Sequence, residues 1–327
     1  MPSLSVDLAV IGAGPAGLYA AYYAGFRGLS VALVDALPEP GGQVSALYPE
    51  KLVYDVAGFP AVKGRDLVEN LVAQAGRFSP SYVLGEQAES CVRGDDGRFL
   101  VTTDESTEVA CGAVVITGGI GSFTPRPLPV GEQYEGRGLS YFVPRLEAHR
   151  DEDVVVVGGG DSAFDWAVSL EPIARSVTLV HRRETFRAHE HTVSQVKASR
   201  VELITSAAIS GVTGDVNVES VEVLHLPTKT TRTVKTQAII AALGFTADLG
   251  PLESWGIAAR DRRILVDTRM QTSVPGVFAA GDITEYDGKV RLISVGFGEA
   301  ATAVNNAAVL LRPHLDLFPG HSSDSVV

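Results

Sequence analysis

A glycine-rich segment near the start of the chain has the spacing of a loop that binds phosphate groups. Residues 12–17 read G-A-G-P-A-G, between an apolar run and a helical pattern. Gly12 permits the tight turn, Gly14 lets the backbone approach a pyrophosphate, and Gly17 lets helix and strand pack closely. The free amides at the start of such a helix face the phosphates. The predicted contacts in this loop are Gly12, Gly14, Pro15, Ala16 and Gly17.

A carboxylate occupies the position at which such a loop meets a sugar. Asp35 follows Gly12 by 23 residues, at the end of the next predicted strand. A carboxylate there accepts hydrogen bonds from ribose hydroxyls. An ordinary glycine turn is the alternative explanation of a lone match, but strand, helix and acid together favour a dinucleotide site.

A second glycine-rich segment differs from the first at the position that meets the sugar. Residues 158–163 read G-G-G-D-S-A, with the final alanine that the pattern permits. Counting 23 residues from the first of these glycines reaches His181. Arg182 and Arg183 follow, with Arg187 one helical turn later. Guanidinium groups bind phosphate through several charge-assisted hydrogen bonds, so this segment predicts NADP(H) held by its 2′-phosphate.

The two segments should hold different dinucleotides, because one is followed by an acid and the other by arginines. One of the two is expected to be a flavin, to which a hydride would pass from nicotinamide. A solvated basic strand end is the alternative explanation of the arginines. The predicted contacts of the second site are Gly158, Gly160, Asp161, Ser162, Ala163, Arg182, Arg183 and Arg187.

Parallel strands followed by helices must position both loops. The apolar run before Gly12 is repeated before Gly158, an offset of 146 residues, and each run leads through glycines into a helical stretch. We predict an α/β fold with two Rossmann-like dinucleotide-binding domains. Residues 1–118 and 248–327 form the outer domain, and residues 119–247 form a domain inserted into it. The first helix is expected at 18–24 and the last at 297–311.

Composition excludes several classes of function. Asp and Glu number 39 against 27 Lys and Arg, and the net charge of -12 argues against a nucleic-acid partner. No apolar run approaches the ~18 residues of a bilayer span, and no basic stretch precedes an apolar one at the start. We expect a protein without membrane contact, located in the cytoplasm.

A third pattern, in residues 272–282, ends in Gly281 and Asp282. A carboxylate at the end of a short strand can accept a hydrogen bond from a ribityl hydroxyl, and Gly281 permits close approach of the chain. Together with the two loops, this pattern resembles the flavoproteins that have two dinucleotide-binding domains.

Within that group the chain resembles the thioredoxin-reductase-like ferredoxin-NADP reductases over nearly its full length. The segments that carry the resemblance are residues 41–43, 46–51, 54–60, 159–163, 181–183, 186–191 and 296–300. The resemblance implies FAD in the outer domain and NADP(H) in the inserted one. It implies FAD contacts at Asp35, Gln43, Tyr48, Ala88, Phe123, Asp282 and Ser323, with Ala88 acting through its backbone. Tyr48 and His321 are the implied stacking partners of the flavin ring, and no residue is assigned to bond-making.

The cysteines and histidines point away from a dithiol or metal mechanism. Thioredoxin reductases need a C-x-x-C pair in the inserted domain, and residues 119–157 contain no cysteine. Cys91 and Cys111 have no basic neighbour of the kind that marks a reactive thiolate. His189 and His191 are two positions apart, unlike a helical zinc pair, so no metal site is predicted.

These features predict an FAD-dependent enzyme that passes electrons between NADPH and ferredoxin or a similar iron-sulfur protein. Hydride would reach the flavin from NADPH, and single electrons would leave it. An NADPH diaphorase or quinone reductase is one alternative, and a flavin-binding sensor with slow turnover is another. The resemblance also implies a homodimer.

Overall fold

The computed structural model describes residues 3–321, except for the side chains of residues 122–124 and 247. Two compact units make up the chain. The first comprises Met1–Ala46, Leu52–Ser122 and Ala247–Val327, and the second comprises Leu47–Lys51 and Phe123–Thr246. The second unit therefore lies within the sequence of the first.

Strands and helices are numbered in chain order. The strands are β1 Ser3–Ile11, β2 Val31–Asp35, β3 Leu52–Val53, β4 Val62–Lys63, β5 Ser81–Leu84, β6 Ala88–Arg93, β7 Phe99–Thr103, β8 Glu108–Ile116, β9 Ser122–Pro125, β10 Leu139–Ser140, β11 Asp153–Val157, β12 Ser176–Val180, β13 Glu202–Ile204, β14 Ala207–Thr213, β15 Ser220–His225, β16 Thr231–Lys235, β17 Ala238–Ala241, β18 Phe245–Asp248, β19 Ala259–Arg260, β20 Arg263–Leu265, β21 Val277–Ala279 and β22 Thr284–Glu285. The helices are α1 Pro15–Phe26, α2 Gln43–Leu47, α3 Gly64–Gly76, α4 Asp161–Leu170, α5 Glu190–Ala198 and α6 Ile293–Leu311, with short 3₁₀ helices at Glu132–Tyr134, Leu146–His149 and Gly250–Trp255.

The first unit is built on a sheet with strand order β5-β2-β1-β8-β7-β6, and β21 also pairs with β8. Strands β5, β2, β1, β8 and β21 run parallel, and β7 and β6 return antiparallel. The central parts of the parallel strands are mainly apolar because both faces of the sheet are covered. Their carboxyl ends meet at one edge, where the registers pair Ile11 with both Val34 and Ile116, and Ile116 with Ala279.

The second unit contains a parallel sheet with strand order β10-β17-β11-β12-β13. A separate antiparallel sheet is formed by β14, β15 and β16. Val157, at the end of β11, pairs with Val180 and Ala241 at the ends of β12 and β17. The edge that follows these residues is where an open α/β sheet binds its ligand.

The predicted α/β class is confirmed, with a parallel sheet and a glycine loop in each unit. Three helix ends differ from the prediction, the first being the start of α1 at Pro15 instead of residue 18. Helix α1 runs past the expected stop at Gly25, where an added Cβ would lie 2.3 Å from Phe78, so this glycine serves packing. Helix α6 begins at Ile293 instead of residue 297, because Gly296 packs against the backbone of Gly281 and stays helical. Among the helices of residues 3–321, none has the length and apolar character of a membrane span.

Candidate functional site

The glycine loop after β1 is held tightly against the end of β8. Gly12 has φ +109° and donates its N–H to Val34 O at 2.8 Å. A Cβ on Gly12 would lie 2.7 Å from Thr117 O, and one on Gly17 would lie 1.8 Å from Gly12 O. Both positions therefore require glycine for close approach within the protein itself.

Gly14 differs, because the protein leaves the space beside it open. A Cβ there would meet no atom closer than Gly42 Cα, at 3.9 Å. Gly14 is the N-cap of α1 and offers no side-chain cap, while Pro15 occupies the first turn. The amides of that turn therefore lack a side-chain acceptor at the cap, and a pyrophosphate supplies the acceptor such amides need. This cradle fits a dinucleotide.

Asp35, the predicted ribose contact, also binds the glycine loop itself. Its Oδ2 accepts the N–H of Ala13 at 2.6 Å, and its Oδ1 accepts the N–H of Leu37 at 2.8 Å. Burial raises the pKa of Asp35, and these two hydrogen bonds oppose the rise. Each carboxylate oxygen keeps acceptor capacity for a ribose hydroxyl. The role of Asp35 in fixing the loop was not part of the prediction.

The segment before β6 lies along the backbone that follows Asp35. Gly85 donates its N–H to Leu37 O at 2.9 Å, and Glu86 donates to Asp35 O at 3.2 Å. Ala88, two residues further, is buried at the start of β6. Ala88, whose backbone is predicted to contact FAD, thus follows two residues after Glu86, which is bonded to Asp35.

Residues 41–43 cover the other side of the loop. Gly41 donates its N–H to Ala13 O at 2.8 Å, and Gly42 lies so close to Gly14 that an added Cβ would be 3.0 Å from Gly14 Cα. Gln43, the first residue of α2, directs its Nε2 to within 2.5 Å of the position of a Cβ on Gly119. Tyr48 follows α2 and is half-buried.

Thr117 is a site residue that the sequence analysis missed. Its hydroxyl donates to Gly12 O at 2.7 Å and approaches Ile11 O at 3.2 Å, and its N–H donates to Ile11 O at 2.7 Å. These bonds tie the end of β8 to the turn of the loop. The position directly after β8 and before two glycines was the only signal for it.

Gly281 and Asp282 reach the same edge through β21. Gly281 has φ +84°, and a Cβ on it would lie 3.2 Å from the Cβ of Ala16 in α1. Gly296 of α6 closes the other side, since an added Cβ there would lie 3.3 Å from Gly281 Cα. The half-buried Asp282 is thus held beside the start of α1.

The second unit repeats the geometry of the first loop. Gly158 donates its N–H to Val180 O at 3.1 Å, as Gly12 does to Val34 O. His181 therefore occupies the position in the second unit that Asp35 has in the first. Its ring covers Gly159, where an added Cβ would lie 2.1 Å from His181 Cε1.

The arginines of the second unit lie on a loop that folds back on its glycine segment. Arg187 donates its backbone N–H to Gly159 O at 2.8 Å, and His189 donates its backbone N–H to Asp161 Oδ1 at 2.8 Å. Arg187 is thus placed by a loop and not by the helical turn that we predicted. Burial lowers the pKa of His181, helped by Arg182 and Arg183, so the positive charge there comes from arginine.

The three guanidinium groups are exposed, and none makes a hydrogen bond or ion pair within residues 3–321. A charged group that is already paired with a carboxylate is a poor phosphate ligand, whereas these are available. The second unit therefore fits a dinucleotide with an added phosphate.

Three further predicted contacts are His321, Phe123 and Ser323. The ring of His321 packs edge-on against Phe318, with centroids 5.3 Å apart and an interplanar angle of 74°. Ser323 and the side chain of Phe123 lie outside the described residues. Their roles at the flavin stay predictions.

Neither cysteine has the environment of a redox thiol. Burial raises the pKa of Cys91 to about 11 and that of Cys111 to about 12. Both residues lie in the sheet of the first unit, on β6 and β8. A thiol reacts as thiolate, so these groups are inert near neutral pH. In the part of the chain that the structure describes, no three metal-ligating side chains cluster.

Replacing both cysteines by alanine is expected to change NADPH-dependent turnover by less than about twofold, because neither thiol is ionised. Steady-state reduction of a one-electron dye measures this. The unfolding temperature serves as the control, since Cys111 belongs to the core. Loss of turnover in a protein that still unfolds normally would reveal a thiol in the electron path.

Three comparisons relate this site to known proteins. Residues 6–307 match the family model described as pyridine nucleotide-disulphide oxidoreductase. A ferredoxin-NADP reductase of Frankia alni is 60% identical over 314 residues, which cover 96% of this chain and 98% of that protein. Another from Salinispora arenicola is 60% identical over 319 residues, with 98% of each chain covered.

Solved structures agree on the fold. A thioredoxin reductase of T. acidophilum aligns with a TM-score of 0.76 and 28% identity, over 93% of this chain and 98% of that one. The thioredoxin reductase of Lactococcus lactis aligns with a TM-score of 0.75 and 25% identity, over 94% and 99%. The chain therefore belongs to the pyridine nucleotide-disulphide oxidoreductase family and, within it, to the ferredoxin-NADP reductases that have the thioredoxin reductase fold.

Proposed function

We propose that this chain is an FAD-dependent oxidoreductase that passes electrons between NADPH and ferredoxin. The observation that carries the proposal is a pair of loops with the same geometry and opposite chemistry at the sugar position. Asp35 stands beside one loop, and His181 with the adjacent arginines stands beside the other. The names of relatives at 60% identity support ferredoxin as the partner.

FAD is assigned to the outer domain, residues 1–118 and 248–327. The open side of Gly14 and the uncapped amides of α1 receive the pyrophosphate. Asp35 accepts hydrogen bonds from the adenosine ribose, and Asp282 accepts one from the ribityl chain. Gln43, Ala88 and Phe123 are further proposed contacts, and Tyr48, His321 and Ser323 complete the set.

NADP(H) is assigned to the inserted domain, residues 119–247. Gly160 caps α4 without a side chain, so the helix start receives the pyrophosphate as α1 does. Arg182, Arg183 and Arg187 bind the 2′-phosphate, which explains a preference for NADPH over NADH. Asp161 holds the loop through the backbone of His189 and thereby fixes the arginine segment.

When bound, FAD accepts two electrons from NADPH as hydride and releases them one at a time. The protein's own residues bind and orient the two coenzymes, and the reacting bonds belong to the coenzymes. We further propose a homodimer in the cytoplasm. Sedimentation at several protein concentrations tests the first of these two points, and cell fractionation tests the second.

The decisive experiment mixes FAD-loaded protein with NADPH and oxidised ferredoxin and follows ferredoxin reduction. We expect rapid reduction of the flavin by NADPH, followed by turnover with ferredoxin. A protein that reduces quinones or dyes but not ferredoxin, at matched concentrations, would be a diaphorase or quinone reductase. Slow flavin reduction on rapid mixing would indicate a sensor. Protein that cannot be reconstituted with FAD would contradict the proposal as a whole.

A further inference from the structure

A buried ion pair lies behind the turn that carries Asp282, and the electron-transfer scheme does not use it. The ammonium of Lys289 lies 2.5 Å from Oε1 and 2.7 Å from Oε2 of Glu299. The two side chains are only 2% and 5% exposed. Tyr286 donates its hydroxyl to Glu299 Oε1 at 2.5 Å. Both charges are therefore removed from water and fully engaged with protein groups.

The pair binds both polar backbone groups of Gly281. Glu299 Oε2 accepts the N–H of Gly281 at 2.7 Å, and Lys289 donates its ammonium to Gly281 O at 2.9 Å. The hydroxyl of Thr284 also donates to Gly281 O, at 2.8 Å. The carboxylate of Glu299 thus accepts from the N–H of Gly281, and the ammonium of Lys289 donates to its carbonyl oxygen. The peptide groups on each side of Gly281 are fixed in orientation.

Stability alone is a poor explanation of this arrangement. Transferring two charges out of water costs as much as their attraction returns, and replacing such a pair by apolar residues is often neutral. A buried ion pair therefore calls for another reason, and its contacts supply one. Gly281, with its positive φ, leads directly into Asp282 beside the start of α1.

We propose that Lys289 and Glu299 are positioning residues for FAD, which hold the Gly281 backbone so that Asp282 meets the ribityl chain. The inference rests on the proposed function, because it assumes that Asp282 contacts FAD. Neither side chain touches the cofactor in this scheme. Their effect on FAD passes through the two peptide groups of Gly281.

The test compares two double variants. In Lys289→Met/Glu299→Leu the N–H of Gly281 loses its acceptor, and we expect the dissociation constant for FAD to rise at least about tenfold. In Lys289→Met/Glu299→Gln the amide oxygen can still accept that N–H. We expect its FAD dissociation constant to rise by only about threefold, because the Lys289 contact with Gly281 O is lost while the hydroxyl of Thr284 still donates to that oxygen.

A third variant keeps the inference testable if Lys289→Met/Glu299→Leu does not fold. Lys289→Glu/Glu299→Lys keeps one charge of each sign but presents the wrong polarity to both groups of Gly281. We expect it to lose FAD as the leucine variant does. The unfolding temperature of each apoprotein is measured alongside FAD titration, and the dissociation constant for NADP⁺ controls for the inserted domain.

Unchanged FAD affinity in the folded leucine variant or in the charge-swapped variant would overturn the inference. An equal loss of FAD affinity in the leucine and glutamine variants would overturn it too. The oxygen at residue 299 that accepts the N–H of Gly281 would then have no effect on FAD binding. Failure of wild-type protein to bind FAD would instead count against the proposed function. The two failures are therefore distinguishable by the wild-type titration.

Discussion

Gly14→Ala is expected to raise the dissociation constant for FAD by about tenfold to a hundredfold while the apoprotein keeps its stability to within about 0.5 kcal/mol. The new methyl group would meet no protein atom closer than 3.9 Å, and the backbone angles of -70° and -176° suit alanine. It would, however, stand where the pyrophosphate must approach the amides of α1. Titration with FAD and thermal unfolding of the apoprotein measure the two effects separately.

Two other glycines provide matched controls for this substitution. Gly17→Ala would put a Cβ 1.8 Å from Gly12 O, so both FAD affinity and stability should fall. Gly298→Ala lies in α6, where an added Cβ meets nothing within 4 Å, and should stabilise the protein by about 0.5 to 1 kcal/mol with no loss of FAD. If Gly14→Ala bound FAD with wild-type affinity, the proposal that this loop binds the pyrophosphate of FAD would be wrong.

Arg182→Ala and Arg183→Ala are each expected to weaken the binding of NADPH by about tenfold or more, with little change in the binding of NADH. Each guanidinium offers charge-assisted hydrogen bonds of about 1.5 to 3 kcal/mol to a phosphate that NADH lacks. Within the described chain neither group has a hydrogen bond or ion pair to lose, so stability should be preserved. The ratio of kcat/KM for the two coenzymes measures the effect.

Arg200→Ala is the control for this pair of substitutions. Arg200 is another exposed arginine of the second unit, and its Nε lies 2.7 Å from Oε1 of Glu171. Its loss should leave the kcat/KM ratio unchanged. If the Arg182 and Arg183 variants bound NADPH and NADH equally poorly, the result would indicate general damage to the domain. It would contradict the assignment of these arginines to the 2′-phosphate.

The parts of the site that local sequence determines were predictable. Each glycine loop is dictated within a few residues by a strand, a turn and a helix, so its existence and type could be read directly. The count of 23 residues also brought Asp35 and His181 to equivalent positions, because the length of one βαβ unit is nearly fixed. The contrast between the two sites followed from those positions.

Contacts between distant parts of the chain were not predictable. Thr117 meets Gly12 across 105 residues, and Glu299 meets Gly281 from the following helix. Periodicity and spacing describe neighbours in sequence, whereas these bonds depend on how strands and helices pack. In the sequence Glu299 stood out only as part of residues 296–300, and Lys289 gave no signal at all. The early start of α6 has the same origin, since close packing of Gly296 overrides its poor helix propensity.

Gly14 and Gly160, the bare N-caps of α1 and α4, have a consequence for engineering. Ser, Asp or Asn in place of glycine at such a position ordinarily adds a few tenths of a kcal/mol of stability. A selection for heat resistance carried out on coenzyme-free protein would therefore favour those substitutions. Each substitution would place a side-chain oxygen where we propose that a pyrophosphate binds. The most heat-resistant variants would therefore be expected to lose coenzyme binding and activity. Screening with both coenzymes present avoids that trade-off.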